Sequence, residues 1–598
     1  MFHPRKLASA MALALGCIGV AHATHSTFGN VVVFGDSLSD NGNLHSIEPG
    51  TQQRFTTNPG EVAVELVAQH YGYTLTPSVA GGTDYAWGGA RAATDIGPVV
   101  SMQTQVSNYL TANGGHANAN TLYTAWIGAN DLFAAATDPA NAQTIALSAA
   151  NAEVATLKQL HNAGAKYIVV FNLPDVSKTP GIRGTSEAGS AGLLGTLYNG
   201  VLNAGLGQIG TGIIPVNAYA LLNQVIADPA RYGFTNVTSQ ACTTSSSINC
   251  SASTLVTPNA ASSYLFADDV HPTTAAHAML AQVVLSELAA PQQISLLGEA
   301  PLAASEAQTR ALRNQMLADD FGSKTRFFAN IDYARQRFDA SDSSPKTTSN
   351  NVNLTLGADV RANDYLSTGV ALGIGNANAG VSGGGGYKLQ DISGLGYITL
   401  HHDGGYVGGY ANFGQSNFSN IERSFQVGAA RVTESGKADG SHLGAGLTGG
   451  WWFNVGGLRT GPFANLDWQN IKINGYSEGG SDATAMWFGR QERKALIGTL
   501  GWRLQGHWQL NQAVLSPFVE LAWNHDSKAD QRMITAGLNS LNGSFEMAGF
   551  APDKSWATAD IGISAKFDNM MTWFGYSGRF ADSSQKYNSL NLGFKFAF

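Results

Sequence analysis

The segment Val31-Val32-Val33-Phe34-Gly35-Asp36-Ser37-Leu38-Ser39-Asp40 joins a short apolar run directly to a glycine, an aspartate and a serine. A short run rich in valine and aromatic residues is typical of a strand buried in a parallel sheet. In open α/β sheets, functional side chains lie where the strands end. The segment therefore predicts an α/β fold in which a turn after the first strand exposes the hydroxyl group of Ser37.

Three later segments have the same strand-like composition, namely residues 122–127, 167–172 and 212–216. Helix-like segments separate them. One helix is predicted from apolar residues that recur at helical spacing before Gly164: Leu147, Ala150, Val154, Leu157 and His161. Another is predicted from about residue 274 to residue 288. Strands that alternate with helices indicate an α/β domain with a parallel sheet over residues 24–297.

A later segment supplies the partners that a reactive serine needs. A serine hydroxyl requires a base that accepts its proton, and the base requires a group that orients it. In Asp268-Asp269-Val270-His271-Pro272, His271 is the candidate base, and Asp268 lies three residues before it. Asp268 can hold one imidazole nitrogen while the other nitrogen faces Ser37. Asp269 is the alternative carboxylate, and we expect it to point elsewhere.

Attack by a serine also requires hydrogen-bond donors for the negatively charged oxygen of the transition state. The backbone N–H of Ser37 is one candidate, and the side-chain amide of Asn130, which follows a predicted strand, is a second. A glycine N–H in Ala86-Trp87-Gly88-Gly89-Ala90 is a third, since glycine lets the backbone approach a ligand closely. We predict Gly89 as this donor and keep Gly88 as the alternative.

Two aspartates near these residues are predicted to hold the surrounding loops in place rather than to take part in the reaction. Asp40 is expected to cap the helix after Ser37 or to bind the loop there. Asp131 follows Asn130 in the sequence and is expected to brace the same loop.

The composition limits the class of partner. The chain has 598 residues, which predicts more than one domain. Its net charge of −8 argues against nucleic acid, because nucleic-acid binding favours a basic surface. No metal-ligand spacing is found, so the sequence predicts neither a metal nor another cofactor.

The N-terminus has the three parts of a secretory signal peptide. Arg5 and Lys6 precede an apolar stretch from Leu7 to Val20, and Ala21-His22-Ala23 offers a cleavage site. A membrane anchor is the alternative, but the apolar stretch is shorter than the roughly 20 residues that a span needs. Residues 1–23 are therefore predicted to be removed on export.

Export favours a disulfide bond between the two cysteines of the mature chain. Cys242 and Cys250 are separated by polar, loop-like residues. We predict a local disulfide between them, which braces this loop.

Residues 324–598 have a different pattern. Segments of about ten residues alternate apolar with polar or small residues, as expected for a transmembrane β-barrel. In the last segment, the apolar face contains Leu590, Leu592, Phe594, Phe596 and Phe598. A soluble all-β domain is the alternative, but such a domain rarely runs this long without helices. Candidates for aromatic girdles at the membrane interfaces are Tyr397, Trp468, Trp502, Trp523 and Trp573.

Residues 298–323 join the two halves. Ser305 and Gln308 have the spacing of a capping box, and the residues after them favour a helix. The helix is predicted either to lie on the surface as a linker or to pass through the barrel lumen.

Four sequence blocks resemble those of the GDSL, or SGNH, lipases and esterases: Gly35-Asp36-Ser37-Leu38, Gly89, Asn130 and Asp268-x-x-His271. With the signal peptide, the linker helix and the barrel, the whole chain resembles an autotransporter esterase of the outer-membrane type found in pseudomonads. One departure is Ala129, where the family commonly has glycine. It leaves Asn130 in place.

The resemblance implies a three-layer, flavodoxin-like catalytic domain and a barrel of about twelve strands. It also implies a serine carboxylic-ester hydrolase at the cell surface, with a triad of Ser37, His271 and Asp268, an acyl-enzyme, and oxyanion donors at Ser37, Gly89 and Asn130. The implied partners are an ester or lipid substrate, outer-membrane lipid and the barrel-assembly machinery, and the chain is expected to be a monomer. An acyltransferase with the same triad and an inactive surface adhesin are the alternatives.

Overall fold

The computed structural model describes residues 27–317 and 325–598. The predicted signal peptide over residues 1–23 lies outside the described residues, as does the part of the predicted linker after residue 317. An N-terminal α/β domain is followed by a closed barrel of twelve strands, which confirms the predicted fold classes. Among the described residues, none of the helices combines the length and the apolar character needed to cross a membrane.

The α/β domain is built on a parallel sheet of four strands in chain order. These strands are β1 (Asn30–Gly35), β2 (Thr121–Trp126), β3 (Tyr167–Phe171) and β4 (Ile213–Val216). Alternate side chains of β1 enter separate cores on the two faces, with Val31 and Val33 in one core and Val32 and Phe34 in the other. Burial on both faces explains the continuous apolar sequence of the strand.

Helices cover both faces of this sheet. In chain order the helices are α1 (Ala63–His70), α2 (Met102–Ala112), α3 (Ala129–Thr137), α4 (Ala142–Asn162), α5 (Ala188–Ile209), α6 (Ala218–Ala227), α7 (Pro229–Tyr232), α8 (Ala260–Ser263), α9 (Thr274–Ile294) and α10 (Glu299–Met316). Ala150 and Leu157 of α4 are buried, in agreement with the predicted helix. Val154 is half-buried, and its side chain packs closely against Gly205 of α5.

A small second sheet pairs β5 (Asn236–Gln240) with β6 (Tyr264–Phe266). Beside it, a disulfide bond joins Cys242 to Cys250 and closes a loop. Short 3₁₀ helices lie at Ser78–Ala80, Val176–Lys178, Ser247–Asn249, Ala252–Thr254 and Ser295–Gly298.

The twelve barrel strands are antiparallel and close through the pairing of the last strand with the first. Numbered in chain order together with the short strands, they are β7 (Thr325–Phe338), β8 (Thr347–Arg361), β9 (Leu366–Val381), β10 (Gly385–His402), β11 (Gly405–Val427), β12 (Ala430–Trp451), β14 (Leu458–Ile473), β17 (Gln491–Gly506), β19 (Ala513–Asp526), β22 (Ser555–Phe567), β23 (Met570–Phe580) and β24 (Gln585–Ala597). Two of their hairpins are extended by β13 (Phe453–Val455) and β18 (Trp508–Leu510). A separate sheet on the long loops consists of β15 (Tyr476–Ser477), β16 (Met486–Phe488), β20 (Met533–Leu538) and β21 (Phe545–Ala548).

The alternating sequence of the barrel strands corresponds to an apolar outer face and a polar lumen. In β24, Leu592 is 54 % exposed on the outside, whereas Asn591 is 8 % exposed inside. Because successive side chains of a strand point to opposite faces, a period of two produces both surfaces at once.

Two of the predicted girdle aromatics face the lumen instead. The Tyr397 hydroxyl donates to buried Asp359, and the Trp573 indole N–H donates to buried Asn330 across 3.2 Å. Trp502 is exposed on the outer face, as predicted. The prediction was wrong for Tyr397 and Trp573 because an aromatic side chain can lie on either face of a barrel strand. Their apolar neighbours in the sequence occupy the outer face, so these two side chains point into the lumen.

Helix α10 passes through the barrel lumen. Arg310 forms an ion pair with Asp332 of the wall at 2.9 Å, and Arg313 forms one with Asp467 at 3.2 Å. This decides between the two predicted positions of the linker helix in favour of the lumen. The predicted capping box was wrong: α10 begins at Glu299, and Ser305 is an interior residue whose hydroxyl accepts a hydrogen bond from Asn412.

The α/β domain and the barrel share one apolar core. The cluster that contains Val33 and Val216 of the parallel sheet also contains Phe418 of β11 and Met486 of β16. Helix α9 connects the two halves because it packs in the α/β domain and continues, through the short turn at Ser295–Gly298, into α10.

Candidate active site

Ser37 lies in the turn that follows β1. The Asp36 N–H donates to the carbonyl oxygen of Trp126 in β2 across 3.2 Å, which holds the start of the turn against the neighbouring strand. A side chain at Gly35 would overlap the same carbonyl oxygen, so glycine is needed where the two strands approach. The fold thus presents Ser37 at the carboxyl end of the sheet.

Ser37, His271 and Asp268 form a continuous chain of hydrogen bonds. The Ser37 Oγ lies 2.9 Å from the His271 Nε2, and the His271 Nδ1 lies 2.8 Å from the Asp268 Oδ2. Asp269 points away and accepts a hydrogen bond from Gln240. The structure therefore brings together the three residues that the sequence analysis selected, and it places Asp269 outside the chain.

Asp268 is buried, but its surroundings favour the ionised carboxylate. Its carboxylate accepts hydrogen bonds from the backbone N–H groups of Ser247, Val270 and His271. Burial alone would raise the pKa of Asp268, but the His271 imidazole and these hydrogen bonds outweigh burial, so the pKa lies well below its usual value. An ionised Asp268 can fix the orientation of the imidazole.

The disulfide loop contributes directly to this carboxylate. Ser247 lies between Cys242 and Cys250, and its N–H donates to the Asp268 Oδ2 across 2.5 Å. The side-chain amide of Asn58 donates to the Ser247 carbonyl oxygen across 3.2 Å, which holds the loop from the other side. The sequence analysis predicted the disulfide but not this contact.

The two glycines of the predicted oxyanion loop differ in their hydrogen bonds. The Gly88 N–H donates to the Asp40 Oδ2 across 2.7 Å, whereas none of the described residues accepts a hydrogen bond from the Gly89 N–H. Gly89 is exposed and has a φ of +80°, which favours glycine. Of the two, Gly89 has the N–H group available to a ligand.

Asn130 and Ser37 are the other two predicted donors. Asn130 is half-buried, and its amide donates one hydrogen bond to the Ala90 carbonyl oxygen across 2.9 Å. An amide has two N–H bonds, so a second remains for a ligand. Within the described part of the chain, no residue accepts a hydrogen bond from the Ser37 N–H.

Asp40 organises the loops around Ser37 and Gly88. Besides Gly88, it accepts hydrogen bonds from the N–H groups of Gly42, Asn43 and Leu44. This agrees with the supporting role predicted for Asp40. Asp131 likewise accepts a hydrogen bond from the Ala92 N–H across 2.9 Å and so joins the Asn130 loop to the glycine loop.

A buried pair that the sequence analysis missed supports the Asn130 loop from below. The Tyr198 hydroxyl donates to Glu153 across 2.6 Å and lies 3.4 Å from the Ile127 carbonyl oxygen. A side chain at Gly128 would overlap the Tyr198 ring. Burial raises the pKa of Glu153 to about 8. No local motif marks these residues, since they lie on separate helices.

An apolar cavity of about 300 Å³ opens beside Ser37 and His271. Its walls include Phe133, Leu221, Phe266, Met279 and Leu280. Phe55 packs against the His271 ring with 4.9 Å between ring centroids. The site thus joins a polar reactive centre to an apolar chamber. Across residues 27–317 and 325–598, no cluster of three or more His, Cys, Asp or Glu side chains could hold a metal ion.

The fold and the site define a class of protein, namely a β-barrel protein that carries an α/β ester hydrolase domain. Residues 31–284 match the family described as GDSL-like lipase/acylhydrolase, and residues 327–577 match the autotransporter beta-domain. The chain belongs to the GDSL lipases and esterases that are joined to an autotransporter barrel. It is a carboxylic ester hydrolase of the outer membrane, with its α/β domain at the cell surface.

Relatives named as a lipase and an esterase span nearly the whole chain. Lipase 1 of Photorhabdus luminescens is 28 % identical, over 93 % of this chain and 93 % of its own length. Esterase EstA of Pseudomonas aeruginosa is 28 % identical, over 96 % of both chains. Among solved structures, the translocator domain of the autotransporter NalP from Neisseria meningitidis is 18 % identical, with a TM-score of 0.40, and covers 50 % of this chain and 98 % of that domain.

Proposed function

We propose that the protein hydrolyses carboxylic esters through an acyl-enzyme formed on Ser37. The observation that carries this proposal is the unbroken chain of hydrogen bonds from the Ser37 Oγ through His271 to Asp268. A serine becomes nucleophilic when a base so placed accepts its proton.

In the first half of the reaction, the Ser37 Oγ attacks the carbonyl carbon while its proton passes to the His271 Nε2. The carbonyl oxygen becomes negatively charged and accepts hydrogen bonds from the Ser37 N–H, the Gly89 N–H and the Asn130 amide. Asp268 stays ionised and stabilises the imidazolium ion. The bond between the carbonyl carbon and the leaving oxygen then breaks, and the alcohol leaves with the proton from His271.

In the second half, water takes the place of the alcohol. His271 accepts a proton from the water while the water oxygen attacks the acyl carbon. The bond to the Ser37 Oγ breaks, the serine recovers the proton from His271, and the free acid leaves. Every proton is returned, so the cycle needs no cofactor.

The apolar cavity is proposed to hold the acyl chain of the substrate. Its walls are apolar, and it begins at the nucleophile. An acyl chain that leaves water for such a cavity gains about 0.8 kcal/mol per buried CH₂ group. The substrate class is therefore esters and lipids with a hydrocarbon acyl chain.

We extend the proposal to the organisation of the chain. Residues 1–23 serve as a signal peptide, residues 24–297 as the catalytic domain, residues 298–323 as the linker and residues 324–598 as the translocator. The barrel-assembly machinery inserts the barrel, and the chain works as a monomer in outer-membrane lipid.

A second candidate is transfer of the acyl group to an alcohol other than water. A relative named phosphatidylcholine-sterol acyltransferase, from Aeromonas hydrophila, is 26 % identical over 43 % of this chain. The two reactions share the acyl-enzyme and differ only in the acceptor. Product analysis with a sterol or a long-chain alcohol present separates them, since transfer yields a new ester in place of free acid.

The direct test compares Ser37→Ala with wild type in hydrolysis of a chromogenic butyrate ester by intact cells. We expect a loss of at least about 10³-fold, because the nucleophile is absent. The matched control is Ser39→Ala, which removes a neighbouring buried hydroxyl outside the hydrogen-bond chain and is expected to stay near wild type. Equal rates for Ser37→Ala and wild type would exclude the proposed nucleophile.

A further inference from the structure

Helix α9 lies between the apolar cavity and a hairpin of the barrel. Met279 and Leu280 of α9 line the cavity. The same two residues belong to the apolar cluster that includes Val427 and Ala430, at the tip of the β11–β12 hairpin of the barrel. One helix thus separates the chamber beside Ser37 from a part of the translocator.

This hairpin is long enough to reach the catalytic domain. Strands β11 and β12 have 23 and 22 residues, whereas the flanking strands β10 and β14 have 18 and 16. The two-residue turn of Gly428 and Ala429 joins the paired residues Val427 and Ala430. The additional length places this turn against α9 and the end of α7.

Two hydrogen bonds hold the turn in place near Met279. The Gly428 N–H donates to the Gln282 Oε1 across 2.7 Å, and the Ala429 N–H donates to the Tyr232 carbonyl oxygen across 3.1 Å. A Cβ added to Gly428 would lie 3.7 Å from the Met279 sulfur and would overlap the Tyr232 carbonyl oxygen. The turn therefore lies close to the Met279 side chain, on the barrel side of α9.

We propose that the turn at Gly428–Ala429 determines how long an acyl chain the catalytic domain accepts, by limiting the position of Met279. The inference rests on the proposed function, because it treats the cavity as the acyl site. Methionine is flexible and follows the shape of its surroundings. A fixed surface behind Met279 makes the cavity end at a definite depth, and each CH₂ group excluded from it costs about fourfold in kcat/KM.

A matched pair of variants tests this on the purified full-length protein in detergent. Gln282→Ala removes the bond to the turn. Gln293→Ala removes another bond between the same helix and the same hairpin, from the Gln293 Nε2 to the Glu422 carbonyl oxygen at 2.8 Å. Gln293 lies about 16 Å further along α9 than Gln282. The readout is the ratio of kcat/KM for a dodecanoate ester to kcat/KM for a butyrate ester.

We expect Gln282→Ala to raise this ratio at least about fourfold, the effect of one CH₂ group, and Gln293→Ala to leave it within twofold. Gln282→Glu keeps an acceptor for the Gly428 N–H and is expected to retain the wild-type ratio, which separates the effect from loss of folding. Met279→Ala is expected to raise the ratio by itself. Adding Gln282→Ala to it should change nothing further, since the two substitutions act through one side chain.

Equal ratios for Gln282→Ala and Gln293→Ala would overturn the inference, as would additive effects of Met279→Ala and Gln282→Ala. Either result leaves the proposed function intact as long as the wild type hydrolyses both esters. Absence of Ser37-dependent hydrolysis in the wild type would instead overturn both proposals.

Discussion

The carboxylate of Asp40 accepts a hydrogen bond from the backbone N–H of Gly88 across 2.7 Å. This contact uses the N–H of Gly88, whereas the N–H of exposed Gly89 has no acceptor among the described residues. It also connects the loop after the candidate nucleophile to the loop that carries the proposed oxyanion donor Gly89. A side chain outside the reacting groups thus positions two parts of the site at once.

Substitution of Asp40 is therefore expected to impair the Gly89 donor. For Asp40→Ala we expect kcat to fall about tenfold or more with a small change in KM, because a displaced oxyanion donor weakens transition-state stabilisation. Asp40→Asn keeps one side-chain oxygen as acceptor and is expected to lose less. Steady-state kinetics on a butyrate ester measures both, and a defect confined to KM would contradict this role.

Asn130 is expected to act mainly on turnover. Asn130→Ala removes a side-chain donor to the oxyanion, which costs about 10²–10³ in kcat and leaves KM nearly unchanged. Asn151→Ala, which replaces an exposed asparagine on α4, is the control and is expected to match wild type. If Asn130→Ala altered only the apparent affinity, the oxyanion role would be excluded.

Glu153 makes the heat stability of the catalytic domain depend on pH. Its pKa is raised to about 8 by burial, so folding takes up a proton between the unfolded pKa of about 4.3 and pH 8. The contribution of Glu153 to stability is therefore largest at low pH and falls as the pH rises through this window. Glu153→Gln removes the charge, and we expect its inactivation temperature to exceed that of wild type by several degrees at pH 9.

The measurement for Glu153→Gln is residual esterase activity after heating, each sample normalised to its unheated activity. At pH 5 the two proteins are expected to differ much less, because Glu153 is then protonated in the folded wild type. A difference of equal size at both pH values would show that the carboxyl charge is not responsible.

Removal of the disulfide bond is expected to affect both stability and turnover. Cys242→Ser combined with Cys250→Ser releases the loop that contains Ser247, at an entropic cost of about 2 kcal/mol. Because Ser247 then holds Asp268 less firmly, kcat should also fall. Treatment of the wild type with a reductant provides the comparison, and an unchanged kcat in both experiments would show that the loop does not position Asp268.

Much of the fold was predictable from sequence because its signals are local. A strand buried on both faces has a continuous apolar sequence, as in the run before Gly35. A barrel strand alternates apolar and polar residues, as in the segment that ends at Phe598. Tyr397 and Trp573 show the limit of such signals, since an aromatic residue is compatible with either face of a barrel wall.

The candidate site was predictable where short motifs carry it. Ser37, His271 and Asp268 lie in segments whose residue types are required by the chemistry. By contrast, Tyr198 and Glu153 lie on two helices without a motif, and Phe55 is one aromatic among many. Their roles depend on their positions in the folded protein, and the spacing of residues in the sequence does not predict those positions.

The amino-acid sequence by itself determined the two-part architecture and pointed to the candidate reactive groups, because periodicity and residue chemistry are properties of short segments. Only the tertiary structure decided which glycine N–H is available, that α10 passes through the lumen, and that the Gly428–Ala429 turn lies behind Met279. Those features depend on contacts between residues far apart in the chain, and such contacts are fixed by packing and hydrogen-bond competition over the whole fold.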